Sequence, residues 1–72
     1  MSYQHYYVND NAQSTSGDHE VHHTECPFYP FIKKKTYLGY FDGCEDAMEE
    51  ARKKYPFSAD GCSTCSPACH DS

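Results

Sequence analysis

Hydrophobic and polar positions along this chain define one helix, one strand and several stretches with no period. Cys44, Ala47, Met48, Ala51 and Tyr55 recur at the three- and four-residue spacing that lines one side of a helix. Asp42 precedes them as an N-cap, with Glu45 three residues later in a capping-box relation. Glu45, Asp46, Glu49 and Glu50 fall in the first turns, and Arg52, Lys53 and Lys54 in the last, as the helix dipole favours. Glu49 and Glu50 also stand four residues before Lys53 and Lys54, a spacing that predicts ion pairs, and Pro56 stops the helix. Before the helix, Thr36–Phe41 is rich in strand formers. Strict alternation there would place Leu38 and Tyr40 on one face and Tyr37, Gly39 and Phe41 on the other. Glu20-Val21-His22 reads as a short edge strand, and Pro27 and Pro30 oppose regular structure after Cys26. Residues 1–18 show no apolar period and read as a disordered tail. Tyr3, Tyr6 and Tyr7 within it would be loose or a sticky recognition element. One domain over residues 19–72 follows.

The expected core is Val21, Phe28, Phe31, Ile32, Leu38, Tyr40, Phe41, Ala47, Met48, Ala51, Tyr55 and Phe57. Burying a dozen such side chains does not offset the ordering of so short a chain, so a metal or cross-link is expected as a staple. The fold class is therefore small α+β: a short hairpin or sheet with one helix, stapled by zinc.

The cysteines are Cys26, Cys44, Cys62, Cys65 and Cys69. An odd count argues against a closed disulfide framework, and no basic-then-apolar leader opens the sequence. A reducing cytoplasm is the expectation, where clustered cysteines bind metal or do redox work. No apolar run is long enough to span a bilayer. Net charge is −5, with six Lys and Arg in all, and residues 19–72 carry −3. Such a balance disfavours nucleic acid, although Lys33-Lys34-Lys35 and Arg52-Lys53-Lys54 would form a basic patch if they converged.

Cys62-Ser63-Thr64-Cys65 is a C-x2-C turn, a spacing that lets two thiolates face one ion. Upstream, Cys26 is preceded by His22 at H-x3-C spacing and His23 at H-x2-C spacing. A pair from each end of the domain gives a closed tetrahedral site, and thiolate with imidazole favours zinc. The ligand set read from the spacing is His22, Cys26, Cys62 and Cys65. His23, Cys69 and His70 are alternatives for the fourth place, and an all-cysteine set would also suit an iron–sulfur cluster. A redox dithiol at Cys62 and Cys65 would need a thioredoxin-like frame for which the chain is too short. Cys44, on the helix stripe, reads as a small buried hydrophobe.

Val21-His22-His23-Thr24-Glu25-Cys26, then Tyr40-Phe41 leading into a helix with Ala47, then Gly61-Cys62-Ser63-Thr64-Cys65-Ser66-Pro67, resembles the Ada-type metal-binding domain over about residues 20–67. The resemblance implies one zinc in a small α+β module, with His22, Cys26, Cys62 and Cys65 as ligands. In the DNA-repair member of that family, the first cysteine of the upstream pair accepts a methyl group from DNA. His22 stands at that position here, and a zinc-bound imidazole is not an activated thiolate. Methyl transfer is therefore not carried over.

The functional expectation is a monomeric structural zinc module that binds a partner, protein first, through its Tyr and Phe residues. Nucleic acid is the alternative, and no membrane association is expected. Catalysis is not expected, because the candidate ligands exceed the three that a catalytic zinc usually keeps, and Glu25 and Asp60, the acids near the site, read as solvent-facing.

Overall fold

The computed structural model of the chain describes residues 3–14 and 16–70. Four strands form one mixed sheet: β1 (Gln4–Asn9), β2 (His19–His23), β3 (Lys35–Phe41) and β4 (Ala59–Gly61). Their order is β3-β1-β2-β4, with β1 antiparallel to β2 and to β3, and β2 parallel to β4. One helix, α1 (Cys44–Lys54), connects β3 to β4 and packs on one face of the sheet. Short 3₁₀ turns at Tyr29–Phe31 and Pro67–Cys69 complete the chain.

The largest departure from the sequence reading is at the N-terminus. Residues 4–9 are not a tail but a central strand, paired on both sides. Tyr6 and Val8 point into the core while His5 and Tyr7 point away, a two-residue period too short to register against the polar residues that follow. Val8 and Val21 are opposed across the β1–β2 ladder, and both are fully buried. Residues 1, 2 and 15 of the expected tail lie outside the described residues. Before β2, Gln13 N–H donates to Asp18 O (2.8 Å) and Gly17 N–H donates to Gln13 O (2.7 Å).

Strand β3 breaks strict alternation. Tyr6 is opposite Gly39 but Tyr7 is opposite Tyr37, so Leu38 is the extra residue of a bulge. Gly39 sits at φ +142°, where a Cβ would lie 2.5 Å from the Phe41 ring. Only glycine suits both conditions. The bulge turns Leu38 and Phe41 toward the core and leaves Tyr37 and Tyr40 together on the outer face, which corrects the predicted facing.

The helix stripe is as predicted: Cys44, Ala47, Met48 and Ala51 are buried, with Tyr55 partly so. Alanines at the centre of that stripe let α1 lie close to Val8 and Val21. The N-cap is Gly43, not Asp42, and no side chain caps this end. The predicted four-residue pairs are replaced as well. Lys53 meets Glu50 (2.9 Å), and Lys54 reaches across to Asp10 (3.1 Å) and the Thr36 hydroxyl (2.8 Å). Asp10 also accepts from the Tyr55 hydroxyl (2.7 Å). Partial burial raises the Asp10 pKa, but hydrogen bonds from Tyr55, Thr36 and Lys54 outweigh it, and the carboxyl titrates below its ordinary range.

Of the expected core, Phe28, Phe31, Tyr40 and Phe57 are exposed, Phe57 completely, and Tyr6, Val8 and Cys44 take their place. Cys44 is more than a small hydrophobe, because it forms a disulfide with Cys69. Five cysteines thus divide into one cross-link and three free thiols, Cys26, Cys62 and Cys65. One cross-link beside three free thiols is not the closed disulfide framework that an odd count argues against.

Candidate metal centre

Two sheet features bring the ends of the domain together. The parallel β2–β4 ladder places Gly61 opposite Val21, so the residues that follow, His22 and Cys62, emerge side by side. Cys62 N–H extends the ladder by donating to Val21 O (3.0 Å). Cys26 returns toward His22 through a turn closed by its own N–H to His23 O (3.0 Å), and Tyr29 N–H then donates to Cys26 O (3.0 Å). Cys65 comes back over Cys62 in a turn closed by Ser66 N–H to Cys62 O (2.8 Å), with Ser66 itself buried. Gly61 is needed here for space. A Cβ at this position would stand 2.7 Å from the Cys69 backbone and 2.8 Å from Ser66 O.

The result is a cluster of His22, Cys26, Cys62 and Cys65 whose donor atoms all lie within 4.8 Å of one another. His22 Nδ1 is 3.4 Å from Cys26 Sγ and 3.8 Å from Cys65 Sγ, and Cys26 Sγ is 4.0 Å from Cys62 Sγ. A tetrahedron with metal–sulfur bonds of about 2.3 Å has edges of about 3.8 Å. The separations therefore fit one tetrahedral ion at the centre, and this donor set could hold one. His22, Cys26 and Cys62 are buried, with Cys65 nearer the surface.

The surroundings favour neutral groups when no cation is present. Burial pushes the Cys65 thiol up to about 12, and proximity to Cys26 adds to this. Burial also raises the Cys26 thiol and lowers the His22 imidazole, which keeps the ring in its ligand form. Against this trend, the backbone N–H of Phe28 faces the Cys26 sulfur and that of His23 faces the Cys65 sulfur, both stabilising a thiolate. On the far side of the His22 ring, Glu20 Oε1 lies 3.6 Å from Nε2. Glu20 was not foreseen from sequence, although it lies two residues before His22 on the same strand face.

The other suggested ligands are engaged elsewhere. His23 Nδ1 accepts from Glu25 N–H (3.1 Å), and its ring meets the Tyr6 ring edge-on. Cys69 is in the disulfide. His70 Nδ1 lies 3.0 Å from Gly61 O and 3.2 Å from Asp60 Oδ2. Of the two acids considered as general bases, Glu25 is exposed, whereas Asp60 is buried beside His70 rather than facing solvent. A cleft of about 380 Å³ between Phe28, Phe31, Asn11 and Glu20 reaches the edges of His22 and Cys62.

No family model matches the chain, and no curated protein or solved structure matches it either. Among the described residues, no helix is long and apolar enough to cross a membrane.

Proposed function

We propose that the chain is a small structural zinc module, with zinc held by His22, Cys26, Cys62 and Cys65, that serves as an interaction domain rather than an enzyme. The observation that carries this reading is the convergence of one imidazole and three thiols at tetrahedral spacing in a mostly buried pocket. Four protein donors leave no position for a reactive water, which supports a structural role. Zinc bound there ties the turn after β2 to the turn after β4, and such binding free energy is coupled to folding. Thiolate and imidazole donors support zinc over harder ions.

The Ada-type resemblance is part of the same reading, since the four residues it implicates are the four that cluster. Its methyl-transfer chemistry is not, because His22 takes the place of the accepting thiolate. Exposed aromatic rings on the outer sheet face support a binding role, whether for the protein partner that the composition first suggests or another.

Native mass spectrometry tests this directly. One zinc per chain, with amide dispersion lost on adding a strong chelator, is the expected result. A metal-free protein whose well-dispersed spectrum ignores chelator would overturn it.

A further inference from the structure

We infer that the outer face of the sheet is a stacking platform for a single-stranded oligonucleotide, with the Lys33–Lys35 run holding phosphates at one end. The inference rests on reading the chain as a metal-stapled interaction module.

Helix α1 covers one face of the sheet, and the ladders organise the other. Tyr7 is opposite Tyr37 and His5 is opposite Tyr40. The rings form an unbroken series: Tyr3 to Tyr40 at 5.2 Å, Tyr40 to His5 at 4.5 Å, His5 to Tyr37 at 5.7 Å, Tyr37 to Tyr7 at 5.1 Å, and Tyr7 to Tyr29 at 5.4 Å. Cross-strand aromatic pairing stabilises a sheet by about 0.2–1 kcal/mol per pair. It does not require Tyr3, Tyr37 and Tyr40 to stay more than half exposed, at 56%, 51% and 55%. Sequence-tolerant binding of single strands uses such rings, because every base has a face to stack.

Charge completes the match. Asn9 is opposite Lys35, so the lysine run sits at the Tyr7–Tyr37–Tyr29 end of the series, with Lys35 Nζ 5.1 Å from the Tyr29 ring centre. Lys54 of the second basic run lies on the helix side of the sheet, where it pairs with Asp10 and Thr36, so the Lys33–Lys35 run alone carries the positive charge of the outer face. Of the acids at this end, Asp10 is engaged by Lys54, Thr36 and Tyr55, while Asp18 and Glu20 line the cleft on the β2 side of Asn9, across β1 from Lys35. The acids of α1 belong to an element on the opposite face. Glu25 follows Thr24, whose N–H donates to His5 O toward the other end of β1. Within a chain of net charge −5, the lysine run is thus a local positive strip beside the rings. A ligand with flat faces and a regular anionic backbone fits both features. A duplex hides its base faces, and an apolar protein surface would leave the lysines unmatched.

The test uses zinc-loaded protein whose metal content is first confirmed by mass. Oligothymidylate and oligouridylate of about ten nucleotides, and a duplex of equal length, are titrated by amide NMR. Shifts confined to β1, β3 and the Tyr29 turn are expected with one or both single strands, and which strand binds identifies DNA or RNA as the source. Tyr37→Ala with Tyr40→Ala should weaken binding at least tenfold. Lys33→Gln with Lys34→Gln should weaken it and flatten its salt dependence. Three outcomes would overturn the inference: no shifts with either strand, equal binding of duplex, or unchanged affinity in the tyrosine variant. Binding of a protein through this face with oligonucleotides ignored would overturn it too. Because zinc content is read separately, failure with zinc in place removes the platform and leaves the metal reading intact.

Discussion

Val8→Ala is the sharpest probe of the architecture, because Val8 lies where a sequence reading sees only a tail. The side chain is fully buried between Val21 on β2 and Thr36 on β3, under α1. Alanine removes two methyl groups, worth about 0.8 kcal/mol each in transfer. The unfilled space adds a cavity contribution of similar size in a tightly packed core, for a total of about 2–3 kcal/mol. In a domain of this size each kcal/mol moves the midpoint by about 4–8 °C, so a fall on the order of 10–20 °C is expected. Thermal unfolding should be followed in a metal buffer at fixed free zinc, since bound metal contributes to apparent stability. Tyr3→Ser, on the exposed face, serves as control and should shift stability by no more than about 0.5 kcal/mol. A Val8→Ala midpoint within about 3 °C of the parent would show that β1 is not part of the packed sheet, on the same size scaling.

Three further outcomes follow from particular contacts. Replacing both Cys44 and Cys69 by serine opens a loop of 25 residues and should cost about 3 kcal/mol in denaturant unfolding, with zinc stoichiometry unchanged. A loss of zinc in that variant would mean the cross-link, not the strand ladder, positions the cluster. Gly61→Ala drives a Cβ into the backbone of Cys69 and Ser66, so it should weaken zinc binding and stability together; a silent variant in competition titration would contradict the close approach. Zinc binding should strengthen steeply with pH. Burial raises the Cys26 and Cys65 thiols, Cys65 to about 12, so both carry protons at neutral pH that the metal must displace. The His22 pKa is lowered by burial, so the ring stays neutral further into acid and adds little to the slope. With three thiols giving up protons to the metal, affinity should change roughly 1,000-fold per pH unit near neutrality; a flat profile in chelator competition would refute the proton count.

What could be read from the chain alone was local. The helix stripe of Cys44, Ala47, Met48 and Ala51 repeats over three turns, and its outcome matches. His22, Cys26, Cys62 and Cys65 announce themselves by short spacings, and they do converge. Hidden features depended on distant partners. Tyr6 and Val8 form a strand because β2 and β3 flank them, and two inward residues are too few to stand out beforehand. The facing of Tyr37 and Tyr40 turns on a bulge at Leu38, next to Gly39, that no periodicity predicts. The bond between Cys44 and Cys69 joins residues whose approach follows only from the packed fold. Phe28, Phe31 and Phe57 show the reverse error, since hydrophobic identity alone does not assign a residue to the core.

The central claim is that one ion is held by three sulfurs and one nitrogen. Zinc K-edge absorption of the purified, zinc-loaded protein counts those atoms directly. The account predicts three sulfur scatterers at about 2.3 Å and one nitrogen at about 2.0–2.1 Å, with His22→Cys converting the shell to four sulfurs. A shell dominated by oxygen and nitrogen, or a parent shell of four sulfurs left unchanged by His22→Cys, would contradict it.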